Sequence, residues 1–504
     1  MLIKSLQTLI GTHPFLLLTK SSYHKFFQIS ICFDFIFVIF SHIRQKYLFT
    51  YILFSCKIHD GGRKMFEYIR LKNFKSFGDV EFNLLDKKGN PKKLILIYGE
   101  NGIGKSNVAS SFFMLSETMR TMDVRDILQS LLAPNHDQIN DEEFTQLIKS
   151  QYKDIETIIH ECKMVGSTDP MYLEFGFKIN GKSGKYILET DDSQIIHERL
   201  EFTLTKNKGT YFDITPDKLI ISPKIFNTKK ALQEIKFACE KFWGKHSLLS
   251  ILMHESDDKA DQYIKEQISD NFDSVINFFS RISCKIKFGS RQERGFIGLP
   301  KELLGSLEKG RIRIDEEAQL DRTADMLTHF FQLTYRDIEK AYYKKEKKND
   351  RIRYQLMISK YIAGQSREID FSLESTGTQS LIQQLPFMLV AVKGSVSVID
   401  EFDTGIHDLL VKDLILSLEE CINGQLIVTT HNTLLMESGL SKEYIYVINE
   451  TTTGDKEIKC ITYYDPKIHP NTNIRDQYIF GKYSGIPEHT SIDFRALLTT
   501  LKDE

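Results

Sequence analysis

LILIYGENGIGKSNVASSFFML, residues 94–115, decides how the rest of the chain is read. Leu94–Tyr98 is a continuous apolar run of strand length, which predicts a buried strand. It leads straight into Gly99-Glu100-Asn101-Gly102-Ile103-Gly104-Lys105-Ser106, a complete G-x-x-x-x-G-K-S loop, and an apolar helix-like segment follows from Val108 to Leu115. A glycine-rich turn can match such a pattern, but strand, loop and helix in this order is the context a phosphate loop requires. Its glycines let backbone N–H groups wrap phosphate oxygens, and the helix start adds a positive dipole end. The binding residues expected are Asn101, Gly102, Ile103, Gly104, Lys105, Ser106 and Asn107. Lys105 then reaches the β- and γ-phosphates, and the Ser106 hydroxyl ligates Mg²⁺.

Two later segments complete a site. Val396–Ile399 reads as a buried strand ending in Asp400-Glu401. An acidic residue at such a strand tip suits a Mg²⁺ ligand, which is Asp400, and Glu401 beside it can orient or deprotonate water. Gln425–Thr430 is another strand, with His431 at its carboxyl end. That edge is the ligand side of an open α/β sheet, so His431 is placed to touch a γ-phosphate. Each segment alone has a plainer reading, as a capped strand or a loop histidine. Their order behind the phosphate loop favours the site.

Together the three elements resemble the ABC-type ATPase core shared by SMC proteins, RecF-like repair proteins and OLD-family ATPases, over about 65–225 and 366–504. The resemblance implies ATP and Mg²⁺ as cofactors. LKNFKSF (71–77) resembles the first strand of that group, which implies nucleotide contacts from Lys75 and Ser76. LESTGTQ (373–379) stands where the group carries its signature sequence. Ser375 and Gly377 match the signature's Ser and second Gly, whereas Thr376 replaces its first Gly. In relatives this helix start contacts the γ-phosphate held by the opposite subunit; a capped helix after a Ser/Thr/Gly turn is the alternative. A Q-loop glutamine stays open among Gln129, Gln138 and Gln146. IDEFDTGIHDLL (399–410), TTHNTLLM (429–436) and RDQYIFGKYSGIP (475–487) are most similar to stand-alone AAA/OLD-like ATP-binding proteins of defence loci. That similarity implies a separately encoded effector, such as a nuclease.

The remaining sequence bounds this reading. At 504 residues the chain holds roughly three units of ~150 residues. Hydrophobic residues at 41% and charged ones at 27% exclude wholesale disorder and collagen-like fibres. The net charge of −2 supplies no global field for nucleic acid. Seven scattered cysteines without a CxxC pair argue against a zinc site or a secreted disulfide framework, so the cytoplasm is expected. Residues 1–64 differ, with eight Lys/Arg against two Asp/Glu and nine of the 35 Phe. Their apolar run, Phe26–Phe40, contains Asp34 and is shorter than the ~20 residues a spanning helix needs, so no stable membrane association is expected. Gly61-Gly62-Arg63-Lys64 before Met65 would back-translate to a purine-rich ribosome-binding site, making Met65 the start and 1–64 a non-native extension; a weak hydrophobic membrane or targeting segment is the alternative.

Between the lobes the periodicity changes. Leu173, Phe175, Phe177 and Ile179 alternate before Asn180-Gly181, predicting a hairpin, and 200–212 predicts another. Residues 226–365 read as a helical insertion, including DRTADMLTHFFQLTYRDIEKAYYKKEKK (321–348). Lys344, Lys345, Lys347, Lys348, Arg351 and Arg353 form a basic cluster, either a solvated helix face or a phosphate-backbone contact. Only 73 residues follow His431, without Asp-x-Asp, so no TOPRIM-type nuclease is recognisable. The expected architecture is an α/β ABC-type P-loop core split between 65–225 and 366–504, with an antiparallel β layer and a helical insertion. The function implied is an ATP-hydrolysing regulator, homodimeric or higher through ATP, that controls an effector in anti-phage defence. A RecF-like DNA-repair ATPase, with DNA as partner, and an ATP-locked scaffold are the alternatives.

Overall fold

Strand alternation explains why Leu94–Tyr98 is apolar throughout. Ile95 and Ile97 enter one hydrophobic core, and Leu94, Leu96 and Tyr98 enter a second on the opposite face. A strand covered on both sides has no polar face to spare. The computed structural model that shows this describes residues 63–131, 153–258, 267–288, 292–296, 304–466, 468–469, 472–486 and 492–499. The expectations for the N-terminal extension fall outside the described residues.

In chain order, β1 (Lys64–Phe74) and β2 (Phe77–Asn83) form a hairpin, and β3 (Leu94–Tyr98) feeds the helix Lys105–Thr118. After helices Thr121–Leu131 and Ile155–Cys162 come β4 (Met171–Ile179), β5 (Lys182–Thr190), β6 (Ile195–Thr203), β7 (Lys208–Thr215) and β8 (Lys218–Ile221). These make an antiparallel sheet of order β2-β1-β4-β5-β6-β7-β8. The expected turn closes β4 onto β5, with Asn180 and Gly181 at φ 52° and 77°, the signs a type I′ turn demands.

The middle of the chain departs from the helical reading. Helices Lys229–Phe242, Leu248–Asp258 and Asp270–Phe279 are present, but β9 (Ser283–Phe288) and β10 (Gln292–Phe296) follow. Then come β11 (Lys309–Arg313), the helix Glu317–Thr334, β12 (Ile338–Lys348), β13 (Arg351–Ile362) and β14 (Gln365–Asp370). The stretch 337–348 is therefore not a continuation of the preceding helix. Its lysines favour helix by propensity, but Ala341 and Tyr343 alternate into the core and β13 pairs with it along its length. Asn349-Asp350, with Asn349 at φ 55°, is the turn between them.

The last third supplies the helix Thr376–Lys393, β15 (Val396–Ile399), the helix Asp408–Cys421, β16 (Gln425–Thr429), β17 (Ile445–Glu450) and β18 (Lys456–Cys460). Short helices Ile461–Tyr464, Ile474–Ile479 and Phe494–Thr499 end the described chain. The central sheet runs β10-β9-β15-β16-β3-β17-β18, parallel from β9 to β17 with antiparallel edges. β9 thus belongs to the core sheet, although its sequence lies within the expected insertion. No helix among the described residues is long and apolar enough to cross a membrane.

Two buried polar residues lock these layers. Gln425 accepts from the Phe66 N–H at 2.9 Å and donates to Phe66 O and Lys92 O at 3.0 and 2.9 Å, tying β16 to β1. Glu198 on β6 is fully buried and accepts from Tyr186 Oη (2.9 Å), Trp243 Nε1 (2.9 Å) and the Leu248 N–H (2.7 Å). It thereby caps the helix Leu248–Asp258 and holds the neighbouring Trp243 turn against the antiparallel sheet.

Candidate functional site

The carboxyl ends of β3, β15 and β16 meet at one rim of the central sheet. β16 pairs with both neighbours in parallel (Val428↔Leu96, Ile399↔Val428), so strands distant in sequence deliver their tips together. Tyr98, the last residue of β3, donates its hydroxyl to Asn432 O at 3.1 Å, fixing the loop start beside the residue that follows His431. The Tyr98 ring also packs 5.9 Å from Tyr478, whose hydroxyl donates to Gly485 O at 2.8 Å. The segment 475–487 therefore braces the root of the loop.

Within the loop, Asn101 and Gly102 are exposed while Ile103 is buried as its anchor. Gly104 has φ 120° and starts the helix without a side-chain cap; a Cβ there would come within 2.9 Å of the Phe77 ring. The first N–H groups of that helix are consequently free of a side-chain acceptor at the cap, the arrangement that suits an anion. Lys105 is buried and its Nζ donates to Gly99 O and Glu100 O, both at 2.8 Å. Burial pushes its pKa down, opposed by the carboxylates of Asp400, Glu401 and Asp403. Asn107 Nδ2 donates to Ser76 Oγ at 2.7 Å, and Lys75 Nζ donates to Ser110 Oγ at 2.9 Å. The β1–β2 turn thus rests on the loop helix.

On the acidic side, Thr429 Oγ1 donates to Asp400 Oδ1 at 2.6 Å and accepts from the Glu401 N–H at 2.7 Å. Asp400 is buried, whereas Glu401 is half-buried and has φ 50°. A left-handed, non-glycine residue stores strain that persists only where its surroundings impose it, and such strain clusters at working sites. Thr404 Oγ1 donates to Glu401 Oε2 at 3.0 Å. Asp403 Oδ2 accepts from the His431 N–H at 2.9 Å. Thr429 and Asp403 were missed in the sequence; the signals were a hydroxyl ending the strand beside Asp400 and an acid two residues after Glu401. The hydroxyl of Ser106 and the carboxylate of Asp400 are hard oxygen donors, a set that fits Mg²⁺.

His431 is exposed at the strand end, yet lost hydration in the first place, and then the Lys105 charge, lower its pKa from 6.5. Folding therefore favours neutral imidazole: the stability this contributes is present above pH 6.5 and lost as pH falls. In a ring-proton NMR titration of the nucleotide-free protein, His431 is expected to have a midpoint below 6.5 that rises in Lys105→Ala. A midpoint at or above 6.5 in the parent would separate His431 from the loop.

At the signature position, Ser375 caps the helix Thr376–Lys393, its Oγ accepting from the Thr378 N–H at 3.2 Å. Gly377 lies against the loop after Glu401, and a Cβ there would sit 2.2 Å from Gly405 O. Ser380 Oγ donates to Thr404 O at 3.1 Å. The helix start and the Glu401 loop are therefore one unit. β9 runs beside β15, where the Asp400 N–H donates to Lys285 O at 2.8 Å, so β9 also borders the strand that carries the acidic pair. The Gln129 side chain, Gln138 and Gln146 lie outside the described residues.

A family model described as "AAA domain, putative AbiEii toxin, Type IV TA system" matches residues 94–261 and 268–437. No curated protein matches the chain. Among solved structures, the chain is similar to an SMC head domain from Thermotoga maritima, at 15% identity and TM-score 0.32, over 79% of this chain and 98% of that one. It is also similar to an SMC head bound to the C-terminal winged-helix domain of ScpA, at 14% identity and TM-score 0.38, over 78% and 97%. A third is an SMC head domain with an extended coiled coil bound to the C-terminal domain of ScpA, derived from Pyrococcus furiosus, at 15% identity and TM-score 0.37, over 79% and 96%.

Proposed function

This chain belongs to the AAA family of that description, and on this premise we propose that it is a cytoplasmic ATP-driven switch whose nucleotide state controls a partner effector. The observation that carries the reading is the convergence of Lys105, the Thr429-linked pair Asp400 and Glu401, and His431 on one sheet rim. The loop N–H groups and Lys105 would hold the phosphates. Ser106 and Asp400 would hold Mg²⁺, which when bound neutralises charge developing on the phosphates. Glu401, kept in place by Thr404 and its strained backbone, would orient water and accept its proton, and neutral His431 would hydrogen-bond the γ-phosphate.

The coupling of Ser375, Gly377 and Gly405 to Glu401 supports a mechanical output. A second copy seated over the phosphates would press the helix start Thr376–Lys393, and Glu401 moves with it. Hydrolysis would then release the pair, a two-state change biased by the γ-phosphate. The family's Type IV toxin–antitoxin description supports a separately encoded partner, and an anti-phage role is the setting we favour. Light scattering of the full chain tests the clamp. Mass in solution is expected to double with a slowly hydrolysed ATP analogue and to return to its starting value with ADP. A mass unchanged by either nucleotide would leave the scaffold reading in its place.

A further inference from the structure

The basic cluster of 344–353 lies on a sheet, and the sheet sorts its charges. In β12, Lys345 and Lys347 turn to the helix Glu317–Thr334, where they pair with Glu317 and, for Lys345, Asp321. Lys344, Lys348, Arg351 and Arg353 are exposed on the opposite face. There β11 adds Lys309, Arg311 and Arg313, also exposed.

Register aligns them in three rows: Arg313, Arg351 and Lys348; Arg311, Arg353 and Glu346; Lys309, Gln355 and Lys344. Seven cations therefore share a surface with one carboxylate. Arg313 pairs with Asp315 and Glu316 at the edge, and no ion pair joins the other six cations among the described residues. Like charges directly opposite across strands destabilise a sheet. Two such rows lie on a face that turns acidic further along, at Glu339, Glu368 and Asp370, the last accepting from Gln355 of the third row. A polyanion seated on the rows would relieve the repulsion.

We propose that this sheet tip is a docking surface for the phosphate backbone of duplex DNA. The rows repeat every two residues, about 6.6–6.8 Å, and the strands stand about 4.8 Å apart. That repeat is close to the spacing of successive phosphates along a B-form strand and longer than in the compact A form. No aromatic residue belongs to the three rows, so nothing there stacks unpaired bases, which favours a duplex over single strands. Charged side chains without an apolar residue among them also favour a polyanion over a bilayer. The three rows share no residue with the nucleotide site, so binding at the rows is testable independently of turnover.

The test is fluorescence anisotropy of the full chain with a labelled 30-base-pair duplex across a salt series. The parent is expected to bind with a log–log salt slope of about −0.9 per phosphate contact. Arg311→Ala/Arg351→Ala/Arg353→Ala should flatten the slope by about three and weaken binding more than tenfold at low salt. Lys182→Ala/Lys206→Ala/Lys230→Ala should leave both unchanged. The sheet triple variant should melt no lower than the parent, since opposed like charges are removed, and should keep its ATP turnover. Failure of the parent to bind, equal binding by the sheet triple variant, preference for duplex RNA, or equally effective competition by phosphatidylserine vesicles would each overturn the assignment.

Discussion

Glu401→Gln is expected to keep ATP affinity and lose turnover by about 10²–10⁴-fold, the range a positioned general base contributes. The substitution preserves shape: a glutamine carbonyl still accepts from Thr404 Oγ1, now at 3.0 Å from Oε2, and the strained φ of 50° is imposed by the backbone contact to Thr429. What is removed is the carboxylate's charge and its capacity to take a proton. Phosphate release measured beside fluorescent-nucleotide binding separates the outcomes. Turnover equal to the parent's would assign the base elsewhere. Loss of binding together with turnover would make Glu401 a support of the fold instead.

The largest stability effect is expected far from the nucleotide, at Glu198. Its partners Tyr186 Oη, Trp243 Nε1 and the Leu248 N–H all donate, and both carboxylate oxygens are used. Glu198→Ala would strand three buried donors at about 1–3 kcal/mol each, so a loss of at least about 3 kcal/mol is expected in urea unfolding. Glu198→Gln should lose less, because only one of its two terminal atoms points a donor at a donor. Burial raises the carboxyl pKa above 4.5. The folded state therefore holds the proton more tightly. The stability this contributes is present below pH 4.5 and declines as pH rises through the raised value, so the gap between parent and Gln variant should narrow from acid to neutral pH. An alanine variant with the parent's urea midpoint would remove Glu198 from the connection between layers.

The site was legible where chemistry is carried by consecutive residues. Gly99–Ser106 and Asp400-Glu401 each announce a backbone conformation and a function within a few positions. Thr429 and Asp403 act through a partner brought from another strand, and single residues of common type leave no local mark. The fold shows the same division. Asn180-Gly181 forces its own φ signs and was readable, whereas 337–348 was decided by pairing with β13 against the helix preference of its lysines. β9 was hidden for a related reason: a short strand in the central sheet is defined by β15, more than a hundred residues later.

The strand order β16-β3-β17 also sets a timetable for the ribosome. Leu94 must wait for Leu426, 332 residues further on, before its backbone is paired. At about 5–20 residues per second that interval is roughly 15–65 s. Throughout it the emerging chain carries an apolar strand with two open edges. The antiparallel layer, built from neighbours, can close early, but the strand bearing the phosphate loop cannot. Nascent chains should therefore draw holding chaperones until the final third appears, and an unfinished copy lacks the strand tips that complete the site.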